Sequence, residues 1–209
     1  ADVNSIASSL TLNNDFIGRA NQIVGTASYT LTLPAATSVA VGSAIVLENT
    51  TGLVQTVVRN GTDLIYVPGA KSSLTLQVGD NVVLVSNGVN GWNIFGGSAG
   101  LPFSGLFGSS LSANGWQRLP SGLIIQWFTS SVTTVSPGVN PTANVTLPVA
   151  FPNAGLVCVG NIKGGNVSGG SYALDTLFTS NSVVQVTLDA SSGDEAAGTY
   201  NFWCIAIGY

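Results

Sequence analysis

Charged residues are what this sequence most clearly lacks. It has 5 Lys+Arg and 9 Asp+Glu among 209 residues, which is 7%, against about 25% in an ordinary globular protein. Such a chain has to cover its surface with Ser, Thr, Asn and Gly. This composition is typical of β proteins that are exposed outside cells and of subunits with large interfaces, and it does not suit a cytosolic monomer.

Histidine is absent, and its absence excludes several kinds of site. The chain can form no Ser-His-Asp triad, no Cys-His dyad and no zinc site built from Cys and His. The basic residues are scattered and form no stripe that would neutralise phosphates, so nucleic acid is not an expected partner. No run approaches the ~20 apolar residues that span a bilayer, so membrane insertion is not expected. No cofactor is expected either.

The two cysteines both stand in apolar segments. Cys158 follows Val157 and Cys204 follows Trp203, and in such places a thiol behaves as a small hydrophobic side chain. We expect two buried free thiols, because scaffolds that depend on disulfides use more cysteine. A disulfide between them is the alternative.

Short β-branched segments separated by turn residues such as Asn60-Gly61 fill the first half of the chain. The predicted strands are 29–33, 44–48, 55–59, 64–67, 74–78, 82–86 and 92–95. They predict a first all-β domain over 28–97. Residues 1–27 are interpreted as a lead-in linker from an upstream shaft, and the Gly/Ser-rich segment 98–112 as a second linker.

The remaining residues, 113–209, show the same all-β pattern. The predicted strands are 122–135, 143–147, 156–162, 172–178, 183–188 and 199–207. The chain closes on an apolar run from Phe202 to Tyr209, whereas a chain end usually frays into solvent. We therefore expect this run to be a strand paired inside a sheet or covered by neighbouring subunits.

Three segments of this second domain occur together in one known family. They are 114–127 (NGWQRLPSGLIIQW), 145–154 (VTLPVAFPNA) and 203–209 (WCIAIGY). In this order they resemble the C-terminal domain of phage tail fibres of the gp53-like type, which is similar to the tips of R-type pyocin fibres. The resemblance covers about 113–209.

The resemblance implies a homotrimeric fibre tip whose exposed loops bind a bacterial surface saccharide. Together with the strand pattern, it predicts an all-β fold of two β-sandwich-like domains in series. Trp116, Trp127 and Trp203 belong to the family framework and are expected in the core, because aromatic side chains dominate core energetics.

A saccharide site needs an aromatic ring with polar neighbours, because the C–H faces of sugars pack on rings while their hydroxyls seek polar groups. Tyr172 follows the Gly-rich segment 163–171 and is the best candidate, together with Asp175. The polar residues that complete the predicted glycan site are Lys163, Asn166 and Ser168. The alternative is that this loop only turns a corner.

One acidic cluster is present, formed by Asp189, Asp194 and Glu195. A solvated loop is favoured, because the alternation of an EF-hand is missing, and contact with a cation or ligand is the alternative. Glycoside hydrolysis typically needs two carboxyl groups at a set separation, and Asp63 and Asp80 stand in turns, where Asp commonly binds the backbone. We therefore expect no enzyme activity.

Together these patterns predict a receptor-binding tip that attaches a phage or bacteriocin particle to a surface glycan such as lipopolysaccharide. The protein would belong to the distal tail fibre of the virion and act outside the cell. One alternative is a trimerisation and assembly module of the fibre. Another is a polysaccharide depolymerase whose carboxylates meet between subunits.

Overall fold

The chain folds into two compact β units, Ala1–Ser104 and Gly105–Tyr209. The structure is a computed structural model that describes residues 3–134, 140–164, 172–190 and 198–209. Helix occurs in the described residues only as short 3₁₀ segments: Asn14–Phe16, Ala36–Ser38, Ser98–Phe103 and Gly105–Phe107. Within these residues no helix is long and apolar enough to cross a membrane. The predicted all-β class is confirmed.

The first unit contains two sheets. Its strands are β1 Val3–Ile6, β2 Leu10–Thr11, β3 Ala20–Ile23, β4 Thr30–Thr32, β5 Ala44–Asn49, β6 Gln55–Val58, β7 Leu64–Tyr66, β8 Ser73–Leu76, β9 Asn81–Ser86 and β10 Gly91–Gly96. The six-stranded sheet has the order β1-β3-β5-β9-β10-β7 and the four-stranded sheet the order β2-β4-β6-β8. The seven strands predicted for this part of the chain are confirmed as β4 to β10.

The first six strands of the first unit alternate between its two sheets. β1, β3 and β5 pair in parallel in one sheet, and β2, β4 and β6 pair in parallel in the other. The later strands β8 and β9 then add to β6 and β5 in antiparallel fashion. The turn before β9 contains Gly79 with a φ of 80°, a conformation that glycine adopts without steric cost.

Both sheets bury apolar side chains in one cluster between them. The six-stranded sheet supplies residues such as Ile23 and Leu47, and the four-stranded sheet supplies Leu31 and Leu76. Each fully buried side chain of this kind contributes about 1.5–3 kcal/mol. Trp92 is also fully buried, and its indole Nε1 donates to the Pro34 carbonyl oxygen at 3.0 Å. The two sheets are therefore held together mainly by apolar burial.

The structure differs from the two linkers that the sequence predicts. β1, β2 and β3 lie in the stretch 1–27, and they belong to the sheets of the first unit and bury Ile6 and Ile23. Within 98–112, Ala99 is buried in the core of the first unit, and the boundary between the units follows Ser104. Strands this short, paired in parallel with partners far along the chain, leave no local pattern that a sequence could show.

The second unit also contains two sheets. Its strands are β11 Ser109–Ser110, β12 Gly115–Arg118, β13 Ile124–Thr134, β14 Thr142–Thr146, β15 Gly155–Gly164, β16 Tyr172–Ser180, β17 Val183–Ala190 and β18 Gly198–Gly208. The five-stranded sheet has the order β11-β12-β13-β18-β15 and the three-stranded sheet the order β14-β17-β16. The six predicted strands are confirmed as β13 to β18.

The apolar closing run forms an interior strand of the five-stranded sheet. β18 pairs with β13 on one side and with β15 on the other. Beyond it, the Tyr209 carbonyl oxygen accepts from the backbone nitrogens of Asn153 and Ala154 at 2.7 and 2.9 Å. The prediction that this run is a strand paired inside a sheet is confirmed.

The core of the second unit receives alternate residues of β18. Phe202 and Cys204 are buried, whereas Trp203 between them is 42% exposed. The prediction of a core position for Trp203 is therefore wrong, because strand alternation turns it to the other side of the sheet. The core position predicted for Trp127 is also wrong, because Trp127 pairs with Ile205 on that same outer side and lies outside the buried cluster. Trp116 packs against the buried cluster as expected. Both cysteines are free thiols, with Cys204 buried and Cys158 partly buried.

One buried amide connects three segments of the first unit. Asn49 is fully buried, and its Nδ2 donates to the carbonyl oxygens of Leu53 and Gln77 at 2.8 and 2.9 Å and lies 3.2 Å from that of Leu76. Its Oδ1 accepts from the Thr51 hydroxyl at 2.7 Å. The loop after β5 and the end of β8 thus depend on the same side chain.

The substitution Asn49→Asp should destabilise the first unit strongly. It replaces the donor with a carboxylate oxygen that faces carbonyl oxygens, and a buried unpaired charge with lost hydrogen bonds should lower the free energy of unfolding by at least about 3 kcal/mol. Hydrogen exchange of peptides from β5 and β9 measures this loss. Asn14→Asp makes the same change at an exposed residue and should stay within about 0.5 kcal/mol. Equal protection in both variants would contradict the role of Asn49.

Candidate functional site

The outer side of the five-stranded sheet in the second unit is apolar. The strand register places Trp127, Ile205 and Val159 in one row across β13, β18 and β15. Val159 is 58% exposed. We call this surface the apolar face, and it consists of Ile125, Trp127, Val157, Val159, Trp203 and Ile205. Soluble monomers rarely expose a contiguous apolar patch of this kind, so the apolar face has the character of a contact surface.

The same side of the sheet becomes polar toward one end. Trp203 lies between Thr129 and Asn161 in the register, and the next row brings Ser131 beside Asn201. A hollow of about 390 Å³ opens there, lined by Thr129, Ser130, Ser131, Lys163, Asn201 and Phe202. We call it the polar hollow. It offers hydroxyl and amide groups, one ammonium group and, at its border, the exposed ring of Trp203.

The outer side of the three-stranded sheet is mainly polar, although Leu177, which pairs with Gln185, is 62% exposed on it. Thr142, Thr187 and Asp175 form one row of the register, and Asn144 pairs with Gln185 in the next. These side chains are exposed or partly buried. We call this surface the polar face, and it consists of Thr142, Asn144, Thr146, Asp175, Gln185, Thr187 and Asp189. The second unit therefore has one apolar and one polar outer surface.

Three chain connections leave the second unit from strands that end together. In the five-stranded sheet, Thr134 pairs with Gly198, and Gly164 lies close by on β15. In the three-stranded sheet, Tyr172 pairs with Ala190. We call these five residues the loop end. The connections from β13 to β14, from β15 to β16 and from β17 to β18 all depart from it, and each leads from one sheet to the other.

The predicted glycan residues are distributed around the loop end. Lys163 is exposed on β15 and lines the polar hollow. Tyr172 is the first residue of β16, and the structure describes its backbone but not its side chain. Asp175 is exposed on the polar face. Asn166 and Ser168 lie outside the described residues. Lys163 and Asp175 therefore stand on different sheets, and their roles as glycan contacts stay predictions.

The acidic cluster is described only at its first residue. The Asp189 carboxylate is partly buried on the polar face and accepts from Asn140 Nδ2 at 3.0 Å. Asp194 and Glu195 lie outside the described residues. In the part of the chain that the structure describes, no three His, Cys, Asp or Glu side chains gather closely enough to hold a metal. Cation contact at this loop therefore stays an untested alternative.

Of the residues that line the polar hollow, sequence patterns identified only Lys163. Ser131 and Asn201 become neighbours only through the long pairing of β13 with β18. A weak signal exists in β13, whose residues change from apolar to hydroxyl-bearing after Phe128. Only the strand register shows that these residues of β13 lie beside Asn201 of β18.

The comparisons with known proteins agree with the resemblance of the second unit to tail fibres. Residues 118–209 match a family model described as "Putative tail fiber protein gp53-like, C-terminal". No curated protein matches the sequence.

Several solved pyocin fibres are similar to parts of the chain. An N-truncated R1-type pyocin tail fibre is 28% identical over 49% of this chain and 84% of its own, with a TM-score of 0.42. A C-terminal part of the R1 pyocin fibre of P. aeruginosa is 18% identical over 80% of this chain and 57% of its own, with a TM-score of 0.42. A C-terminal part of the P. aeruginosa R2 pyocin fibre is 20% identical over 49% of this chain and 25% of its own, with a TM-score of 0.41.

The family model covers β13 to β18, which include the loop end and both outer surfaces of the second unit. Over residues 118–209 the chain is therefore similar to the gp53-like C-terminal domain of tail fibres.

Proposed function

We propose that this protein is the receptor-binding tip of a phage or phage-derived bacteriocin tail fibre. It attaches the particle to a bacterial surface glycan such as lipopolysaccharide, without catalysis. The observation that carries this proposal is the loop end, where the segments predicted to read a glycan leave the unit together. Loops held on a rigid sheet are a common place for binding residues.

The apolar face supports assembly as a homotrimer of two β-sandwich-like domains in series. Val159, Trp203 and Ile205 are 58%, 42% and 38% exposed on it. Only 7% of the residues are charged, so little surface charge opposes association through this face. Three copies that bury this face against one another would remove it from water and leave the polar face and the loop end outside.

The chemistry around the loop end suits a neutral or weakly charged saccharide. The polar hollow and the polar face offer mainly Thr, Ser, Asn and Gln side chains, and Lys163 and Asp175 add one charge of each sign. Such groups exchange hydrogen bonds with sugar hydroxyls, and Tyr172 would add a ring for the sugar face. Contacts of this kind are weak singly, and three sites on one tip with several fibres on one particle raise the effective affinity.

An assembly role is the second candidate function, and the apolar face is the observation that favours it. On that alternative the second unit joins three chains and the receptor site lies elsewhere on the fibre. A polysaccharide depolymerase is a weaker alternative. Asp175 and Asp189 share the polar face, where Asp175 is exposed and Asp189 partly buried.

Trimer formation through the apolar face is tested by Val159→Lys. A charged ammonium group placed in a buried subunit contact cannot keep its hydration, so the variant should be monomeric in analytical ultracentrifugation while the parent is a trimer. Thr146→Lys introduces the same side chain on the polar face and should remain trimeric. Trimers in both variants, with the fold intact, would show that the apolar face is not the contact surface.

The recognition site is tested by Tyr172→Ala. The loss of one ring contact costs about 1 kcal/mol per site, and over three sites the apparent affinity for susceptible cells should fall at least about tenfold. Tyr209→Ala removes a tyrosine side chain that is 47% exposed beyond the other end of β18 and should bind like the parent. Unchanged adsorption of a trimeric Tyr172→Ala variant would remove this residue from the site.

The proposal as a whole is tested by the binding of purified protein to susceptible and resistant bacterial cells. Binding to susceptible cells should be abolished by lipopolysaccharide extracted from them. A well-formed trimer that binds neither cell type would favour the assembly role. Shortening of the extracted polymer during incubation would show catalysis and contradict the non-enzymatic proposal.

A further inference from the structure

The two cysteines of the second unit are neighbours on the core side of adjacent strands. Cys158 pairs with Ala206, and Gly160 pairs with Cys204, so the two thiols stand one diagonal step apart across β15 and β18. The two thiols influence each other's pKa. Diagonal neighbours in a sheet lie about 7–8 Å apart, and the Cys204 Sγ atom shortens this gap because it reaches toward β15.

Glycine at position 160 lets the Cys204 side chain reach across to β15. A Cβ atom at Gly160 would lie 2.5 Å from the Cys204 Sγ, which is far inside normal contact distance. The sulfur therefore occupies the space that a larger residue on β15 would fill. The Thr176 hydroxyl donates to the Cys158 carbonyl oxygen at 2.6 Å and fixes β15 at this residue.

The two thiols differ in access and in acidity. Cys158 is partly exposed on β15, which is an edge strand of its sheet, whereas Cys204 is buried on β18, an interior strand. The hydrogen bond from the Cys204 thiol lowers the pKa of Cys158. Hydrogen bonding to Cys158 and burial raise the pKa of Cys204. Cys158 is thus the thiol that ionises first, and the thiolate is the nucleophile in disulfide exchange.

We propose that Cys158 and Cys204 form a reversible disulfide that links β15 to β18 when the protein meets a low-molecular-weight disulfide such as oxidised glutathione. The Cys158 thiolate attacks one sulfur of this oxidant, forms a mixed disulfide and releases one glutathione thiolate. Cys204 then loses its proton and attacks the Cys158 sulfur, which releases the second glutathione thiolate. The two cysteines lose two electrons and two protons, and the oxidant becomes two molecules of reduced glutathione.

The proposal adds a covalent link to the second unit, and it does not depend on the receptor or on the number of subunits. A protein that acts outside the cell meets conditions in which disulfides persist, whereas the cytosol of the producing cell keeps thiols reduced. The link would join β18 to β15, the edge strand that carries Lys163.

The test incubates the folded protein with oxidised glutathione, followed by thiol titration and peptide mapping without reduction. Both thiols should disappear together, and one peptide pair joining Cys158 to Cys204 within a single chain should appear and be cleaved again by dithiothreitol. Cys204→Ala should stop at a glutathione adduct on Cys158. In Cys158→Ala, glutathione should add to Cys204 at least about tenfold more slowly than it adds to Cys158 in the parent, because the Cys204 thiol is buried.

Two results would overturn the proposal. The first is a folded parent protein that keeps both thiols titratable under conditions in which a urea-unfolded sample loses them. The second is a parent protein that accumulates the adduct on Cys158 while Cys204 remains reduced, as in Cys204→Ala. Either result would show that the two sulfurs cannot meet in the native sheet.

Discussion

The pairing of β18 along both of its edges is the constraint on which the second unit depends. This strand runs from Gly198 to Gly208 and is hydrogen-bonded to β13 and β15. Because side chains alternate along a strand, a single sequence has to serve two environments. Phe202 and Cys204 fill the core, while Trp203 and Ile205 form part of the apolar face. A shift of one residue in the register would exchange these two sets, so the register is held by the core.

The scarcity of charge gives this alternation its consequences. In most proteins the outer side of a half-buried strand carries Lys, Glu or Arg, and the sheet then faces water. Here the outer residues of β18 are apolar toward Gly208 and polar toward Gly198, where Asn201 meets Ser131. The outer side of the sheet therefore has an apolar part and a polar part. The polar part adjoins the loop end. Under the proposed function, subunit contact and ligand contact would thus use different parts of the same sheet.

Local patterns predicted the strands well and their partners poorly. Turn residues and β-branched runs located β4 to β10 and β13 to β18, since both signals are encoded within a few residues. The sequence patterns did not predict the strands β1, β2 and β3. These strands are two to four residues long and are stabilised by parallel partners far along the chain. The core position predicted for Trp203 rested on its place in the family framework and on its aromatic character, neither of which shows strand alternation. The polar hollow required a register between β13 and β18 that no local pattern contains.

The separation of the core from the loop end explains how such a domain could change its ligand without losing its fold. The buried cluster of the second unit is supplied by strand residues such as Ile124, Phe128 and Val184. The connections that leave the loop end begin only after the strands have finished their pairing, at Thr134, Gly164 and Ala190. The strand pairs and the apolar face are formed by residues outside these connections. The strands thus carry the stability of the unit, and under the proposed function the connections would carry the choice of ligand, so the two could vary separately.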